Sequence, residues 1–271
     1  MSPARTVAIA LRQFYLLRGS PARVLPLFAW VTIDILLWGF ITRYLSTVTT
    51  PGSSFVPALL GAVLLWDFLV RVMHGVTTAF LEDVWSRNFL NIFATPLSLP
   101  EYIGGLVLTG AATSAFGLLA MLILATAVFG LHFFAYGLLL IPFLLLLFLF
   151  GIALGIVGSG IVLRLGPAAE WFIWPLPALL SPFACVFYPL STLPRWMQYV
   201  SRAIPPSYVF EAMRGIAIGR PAGDAATFGM LLAGSALALL YIVLAGWFFS
   251  RVYRHAVRTG LIPRYSAESV S

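Results

Sequence analysis

The chain has 271 residues, of which 61% are hydrophobic, 15% aromatic and only 9% charged, with a net charge of +7 and a mean hydropathy of +0.99. This excludes a soluble globular domain, because charges confined to the gaps between long apolar runs are what a bilayer demands. Every basic residue is Arg and no basic-aromatic module stands outside the apolar runs, so the charge reads as topology and lipid-surface attraction, with no nucleic-acid partner.

A helix needs about 20 apolar residues to cross roughly 30 Å of hydrocarbon. Six runs qualify, about 24–45, 55–80, 102–130, 135–163, 170–190 and 225–250. They do not alternate apolar with polar, so a membrane barrel is the wrong reading. The expectation is an all-α integral membrane protein: an N-terminal segment 1–22, a six-span transmembrane domain 24–250 and a basic tail 251–271.

The first segment, "SPARTVAIALRQFYLLRGSPAR", puts Val7, Leu11 and Phe14 on one side of a helical wheel and Arg5 and Arg12 on the other. That pattern predicts an interfacial helix on the cytoplasmic membrane surface. A basic arm that only anchors topology is the plainer alternative. Gly19, Ser20 and Pro21 would form the elbow into the first span, which is too long for a signal-peptide core and is read as a retained anchor.

Along the second span, Asp67, Arg71, His74, Thr78 and Glu82 recur at helical spacing and share one stripe. Ionisable groups facing lipid are costly, so the stripe faces protein or a watery path. Asp34, halfway along the first span, should lie at a similar depth. Two readings stay open: a polar translocation wall or proton relay, and an Asp67–Arg71 pair with Asp34 and His74 as glue between helices.

The next connection, "LEDVWSRNFLNIFATPLSLPEYIGG", concentrates Glu82, Asp83, Arg87 and Glu101 in one short stretch. It reads as a short cytoplasmic helix over about 82–95, closed by Pro96 and Pro100. The fourth span carries small residues at Gly151, Gly155 and Ser159, the spacing of a close helix-packing face. Between Pro189 and Pro221 lie two further helical pieces, about 194–203 and 206–218, broken at Pro205 and Pro206. Too short to span and too apolar for a solvated loop, they predict external re-entrant helices over about 190–220. Trp196 and Tyr208 suit the headgroup level, and Glu211 and Arg214 can pair on one face. A cap that closes the bundle and an exit gate are the two roles open to them.

Arg distribution sets the orientation. Arg5, Arg12, Arg18 and Arg23 precede the first span, Arg251, Arg254, Arg258 and Arg264 follow the last, and Arg87 and Arg164 lie in connections on the same side. Both termini are therefore expected in the cytoplasm. Three His and one Cys offer no metal-site spacing, and no nucleophile elbow is present. A chain without Lys cannot form a P-loop.

The stretch from "SFVPALLG" through "LEDVWSRNFLNIFATPLS" and the segment "SPFACVFYPLSTLPRWMQYVSRAIPPSYVFEAMRG" resemble the permease subunits of type-2 ABC exporters. Pro57, Glu82, Arg87, Leu90, Thr95 and Pro96 carry the first match. Pro182, Pro189, Pro194, Trp196, Pro206, Tyr208, Glu211 and Arg214 carry the second. The resemblance implies a homodimer, or a pair with a homologous permease, in the bacterial cytoplasmic (inner) membrane, each copy seated on a separate ATPase that binds the ATP and Mg. No cofactor is expected in this chain. It also implies that 82–95 is a coupling helix, with Glu82, Asp83, Trp85, Arg87, Asn88, Phe89, Phe93 and Pro96 at the ATPase; if the external pieces are a gate, Pro189, Pro194, Trp196, Pro206, Tyr208, Glu211 and Arg214 are its candidate residues. The cargo would be amphipathic, lipid-linked or hydrophobic. A proton-coupled secondary transporter using Asp67, Arg71 and His74 is the alternative, opposed by the absence of internal repeats.

Overall fold

A computed structural model describes residues 2–48, 55–86, 88, 91–92, 94–130, 137–221 and 223–260. Among them every regular element is helical: α1 (Pro3–Arg18), α2 (Pro21–Val48), α3 (Phe55–Trp85), α4 (Leu99–Phe129), α5 (Leu140–Leu165), α6 (Glu170–Ile173), α7 (Leu176–Leu180), α8 (Arg195–Arg202), α9 (Pro205–Ala217) and α10 (Ala225–Arg258). Four stretches, Leu59–Trp85, Leu99–Phe129, Gly137–Leu165 and Ala225–Arg258, are long and apolar enough to cross a membrane. The 28-residue α2 matches them in length.

α3 is the hub, packed by α2, α4, α5 and α9. Missing side chains allow this. A Cβ added at Gly75 would lie 3.0 Å from the Gly110 Cα, so α3 and α4 cross in backbone contact. A Cβ at Gly151 would meet the Leu69 carbonyl oxygen at 2.9 Å, and one at Gly155 would meet the Val76 Cβ at 2.7 Å. The Thr77 hydroxyl then reaches across to the Gly155 carbonyl at 3.2 Å. Between membrane helices, such close packing and small hydrogen bonds do what water exclusion does in a soluble core.

The same contacts give direction. Residues 151, 155 and 158 of α5 meet α3 at 69, 73 to 76 and 77, in rising order, so the two helices run parallel. Leu146 meets Gly234, and Gly160 meets Phe248, so α10 runs parallel to α5 as well. A chain leaving the end of α5 must therefore return along the bundle before α10 can start.

That return corrects the expectation of six continuous membrane helices. In place of one helix over 170–190 there are α6, α7, turns through Tyr188 and a 3-10 turn at Leu190–Thr192. Pro175, Pro177 and Pro182 explain the break, since each lacks an amide donor and crowds the preceding turn. Cys185, beyond them, has a φ of 59°, left-handed backbone that no α-helix accommodates. α6 and α7 together cover about 14 Å at about 1.5 Å per residue, less than half of a bilayer core of about 30 Å. α8 and α9 follow as two short helices.

Candidate functional site

At one end of the bundle, α1 lies against the start of α4, where Gly104 and Gly105 leave room for Thr6 and Ile9. α3 brings Asp83 into the same junction in its last turn. Asp83 is fully buried. The Arg12 guanidinium pairs with its Oδ1, the Gln13 amide donates to Oδ1 at 3.4 Å, and the Tyr102 hydroxyl donates to Oδ2 at 2.7 Å. A buried carboxylate is tolerable only when paired and hydrogen-bonded in this way. Gln13 also donates to the Ala79 carbonyl at 3.1 Å, so three helices share one polar knot.

A second carboxylate joins the same elements. Ser98 and Glu101 form a capping box at the start of α4. Glu101 accepts from the Ser98 amide at 2.9 Å and from the Ser2 amide at 2.6 Å. Arg5 stands 3.6 Å from Glu101 and donates to the Pro96 carbonyl at 2.5 Å. The charged side of α1 thus faces protein, while Val7, Leu11 and Phe14 are exposed.

The expected coupling residues divide accordingly. Glu82 and Asp83 belong to the end of α3, not to a separate helix. Trp85 is 50% exposed. Asn88 accepts from the Asn91 side chain at 3.1 Å, and exposed Pro96 closes the stretch. Arg87, Phe89, Leu90 and Phe93 lie outside the described residues, as does the side chain of Pro57. The sequence alone does not mark Arg12, Gln13 and Tyr102 as partners of this connection. The capping-box spacing from Ser98 to Glu101 was a local signal, whereas nothing in the chain near Asp83 announced Arg12.

Midway along α3, the Arg71 Nε donates to Asp67 at 2.7 Å. The same guanidinium lies 3.9 Å from Asp34 on α2. The expected stripe therefore does bring α2 and α3 together at Arg71. One turn on, the His74 ring packs 4.3 Å from the Trp174 ring, and its buried Nε2 has no hydrogen-bond partner among the described residues. Thr78 continues the stripe, half-buried. No group of three His, Cys, Asp or Glu among the described residues could hold a metal ion.

At the opposite end, α9 and the unwound segment meet. Glu211 Oε1 accepts from Arg214 Nη1 at 2.6 Å and from the Leu190 amide at 2.8 Å. Arg214 Nη2 donates to the Cys185 carbonyl at 2.9 Å and the Val186 carbonyl at 3.3 Å. Tyr208 donates from its hydroxyl to the Arg202 carbonyl at 2.8 Å, tying α9 to α8. Pro206 is buried in the first turn of α9, and Pro194 precedes α8. Trp196 stays largely exposed, its ring edge-on to Phe183. Pro189 leads into the 3-10 turn at Leu190–Thr192. Trp38 stacks on Phe187, so α2 also leans on the unwound segment.

A bundle of parallel and antiparallel apolar helices, with ion pairs within and between them, defines a multi-pass membrane protein. A family model described as ABC-2 type transporter matches residues 8–218. The chain belongs to that family and is a membrane component of an ABC transporter, a transport subunit and not itself an enzyme. A search of curated proteins gave no match.

Proposed function

We propose that this chain is the permease of an ATP-driven exporter, working as a homodimer in the bacterial cytoplasmic membrane with both termini in the cytoplasm. It would form the path for an amphipathic, lipid-linked or hydrophobic substrate. A separate ATPase would bind ATP and Mg and dock at the connection between α3 and α4. α1 would lie in the membrane interface, its exposed Val7, Leu11 and Phe14 toward lipid. α8, α9 and the unwound segment would form the external gate.

The observation that carries this reading is the knot at Asp83. A docking element can transmit force only if it is rigidly joined to the spans, and Asp83 ties the end of α3 to both α1 and α4. With its carboxylate occupied, Asp83 supports the element from behind, and among the described residues half-exposed Trp85 offers an apolar anchor for a partner. Arg71 binds α2 to α3, which favours the structural reading of the stripe over a proton relay.

Co-purification with an ATPase subunit tests the proposal. Trp85→Ala is expected to weaken ATPase association by about tenfold or more, in keeping with the loss of an aromatic anchor. If association and substrate-stimulated hydrolysis stayed at wild-type levels, the docking role would be wrong. Transport by the chain without any ATPase would overturn the whole reading.

A further inference from the structure

Within 181–190, Ala184 still donates its amide to the Leu180 carbonyl, but beyond it the backbone has left the helix, so its amide and carbonyl groups need partners from elsewhere if they are to stay away from water. One ion pair on α9 supplies several of them. Arg214 donates to Glu211 and to the carbonyls of Cys185 and Val186, and Glu211 accepts from the Leu190 amide. The two side chains therefore grip the segment at its middle and at its far end. At the first of those points Ala184, Cys185 and Val186 are fully buried. Cys185 holds left-handed backbone, which a residue with a Cβ keeps only when its surroundings impose it.

We propose that Glu211 and Arg214 form a latch that holds the unwound segment 181–190 closed against α9, and that release of this latch frees the segment during export. The proposal rests on the external-gate reading above and names its positioning residues. The guanidinium is suited to the task because its planar fork holds two separate nitrogens in fixed geometry, one on the carboxylate and one on the carbonyls, whereas an ammonium offers a single nitrogen. α9 is the fixed side of the latch. Its first turn is braced on α10, where a Cβ at Gly234 would lie 3.2 Å from the Tyr208 Cβ, and Phe210 packs on Trp66 of α3.

The chain's single cysteine makes the test direct, since Cys185 sits at the grip point. The full-length protein is reconstituted in nanodiscs, and the rate of Cys185 modification by N-ethylmaleimide is followed by mass spectrometry. Wild type is expected to react slowly. Arg214→Ala should react about tenfold faster or more, because local opening controls access to a buried group. Arg214→Lys, the variant to use if Arg214→Ala does not fold, should also react severalfold faster than wild type. The double variant Glu211→Arg/Arg214→Glu restores opposite charges but cannot donate to the carbonyls from position 214, so it should stay fast.

Wild-type protection in a folded Arg214→Ala or Arg214→Lys protein would overturn the latch. So would slow labelling of the charge-swapped protein, which would reduce the pair to a generic ion pair. Adding the ATPase and ATP separates this idea from the gate reading: turnover should accelerate Cys185 labelling in wild type. If turnover changed nothing while Arg214→Ala still did, the gate would be elsewhere and the segment's release in export would fall with it, leaving Glu211 and Arg214 as a staple of the fold.

Discussion

A single carboxylate shows how much one residue can organise in an apolar protein. Asp83 has no access to water, and among the described residues its charge is offset by Arg12, Gln13 and Tyr102. Hydrogen bonds to a charged group contribute about 1.5–3 kcal/mol each, more than neutral ones. Tyr102→Phe removes one of them without changing shape and should cost about 1–2 kcal/mol. Arg12→Ala strands the carboxylate and should cost more, about 3 kcal/mol. Both are read from thermal unfolding in detergent, and equal melting temperatures for Arg12→Ala and wild type would refute the knot. Asp34→Ala makes the contrast within the stripe. That carboxylate is 35% exposed and 3.9 Å from Arg71, so its loss should cost less than about 1 kcal/mol by the same measurement.

Helix packing follows from where side chains are missing. α5 lies on α3 along Gly151 and Gly155, whereas Gly246 on α10 has nothing within 4 Å of an added Cβ. Gly155→Leu should therefore disrupt the bundle, seen as loss of monodisperse protein on size exclusion. Gly246→Ala should be tolerated and gain roughly 0.5–1 kcal/mol from helix propensity. Disruption by Gly246→Ala and tolerance of Gly155→Leu would reverse the assignment of packed and lipid-facing sides. The spacing of Gly151, Gly155 and Ser159 was legible in the chain because membrane helices need small residues where they touch. The break in the return segment was legible only in part. Its prolines were visible, yet an apolar run of sufficient length looks like a span until the unwound backbone is found to have partners in Glu211 and Arg214. Those partners are more than twenty residues away.

For the whole molecule, α1 is both surface and fastener. Val7, Leu11 and Phe14 are exposed, while Arg5 and Arg12 reach buried carboxylates on α4 and α3, the reverse of a soluble helix. Deleting residues 2–18 should therefore do more than loosen a membrane anchor: it leaves Asp83 and Glu101 without their cations. Replacing α1 by an unrelated amphipathic membrane helix should not restore the melting temperature, and full restoration would show that anchoring was its only role. Length, hydropathy, Arg placement and proline spacing by themselves determined an all-α membrane protein, its long helices and its two anomalous connections, because those properties are carried by neighbours along the chain. Only the tertiary structure decided that Asp83 serves α1 in place of an outside partner, and that the return to α10 is made by unwound backbone held from α9. Arg12 and Asp83 are 71 residues apart. No local pattern can pair groups at that separation; packing against Gly104 and Gly105 does.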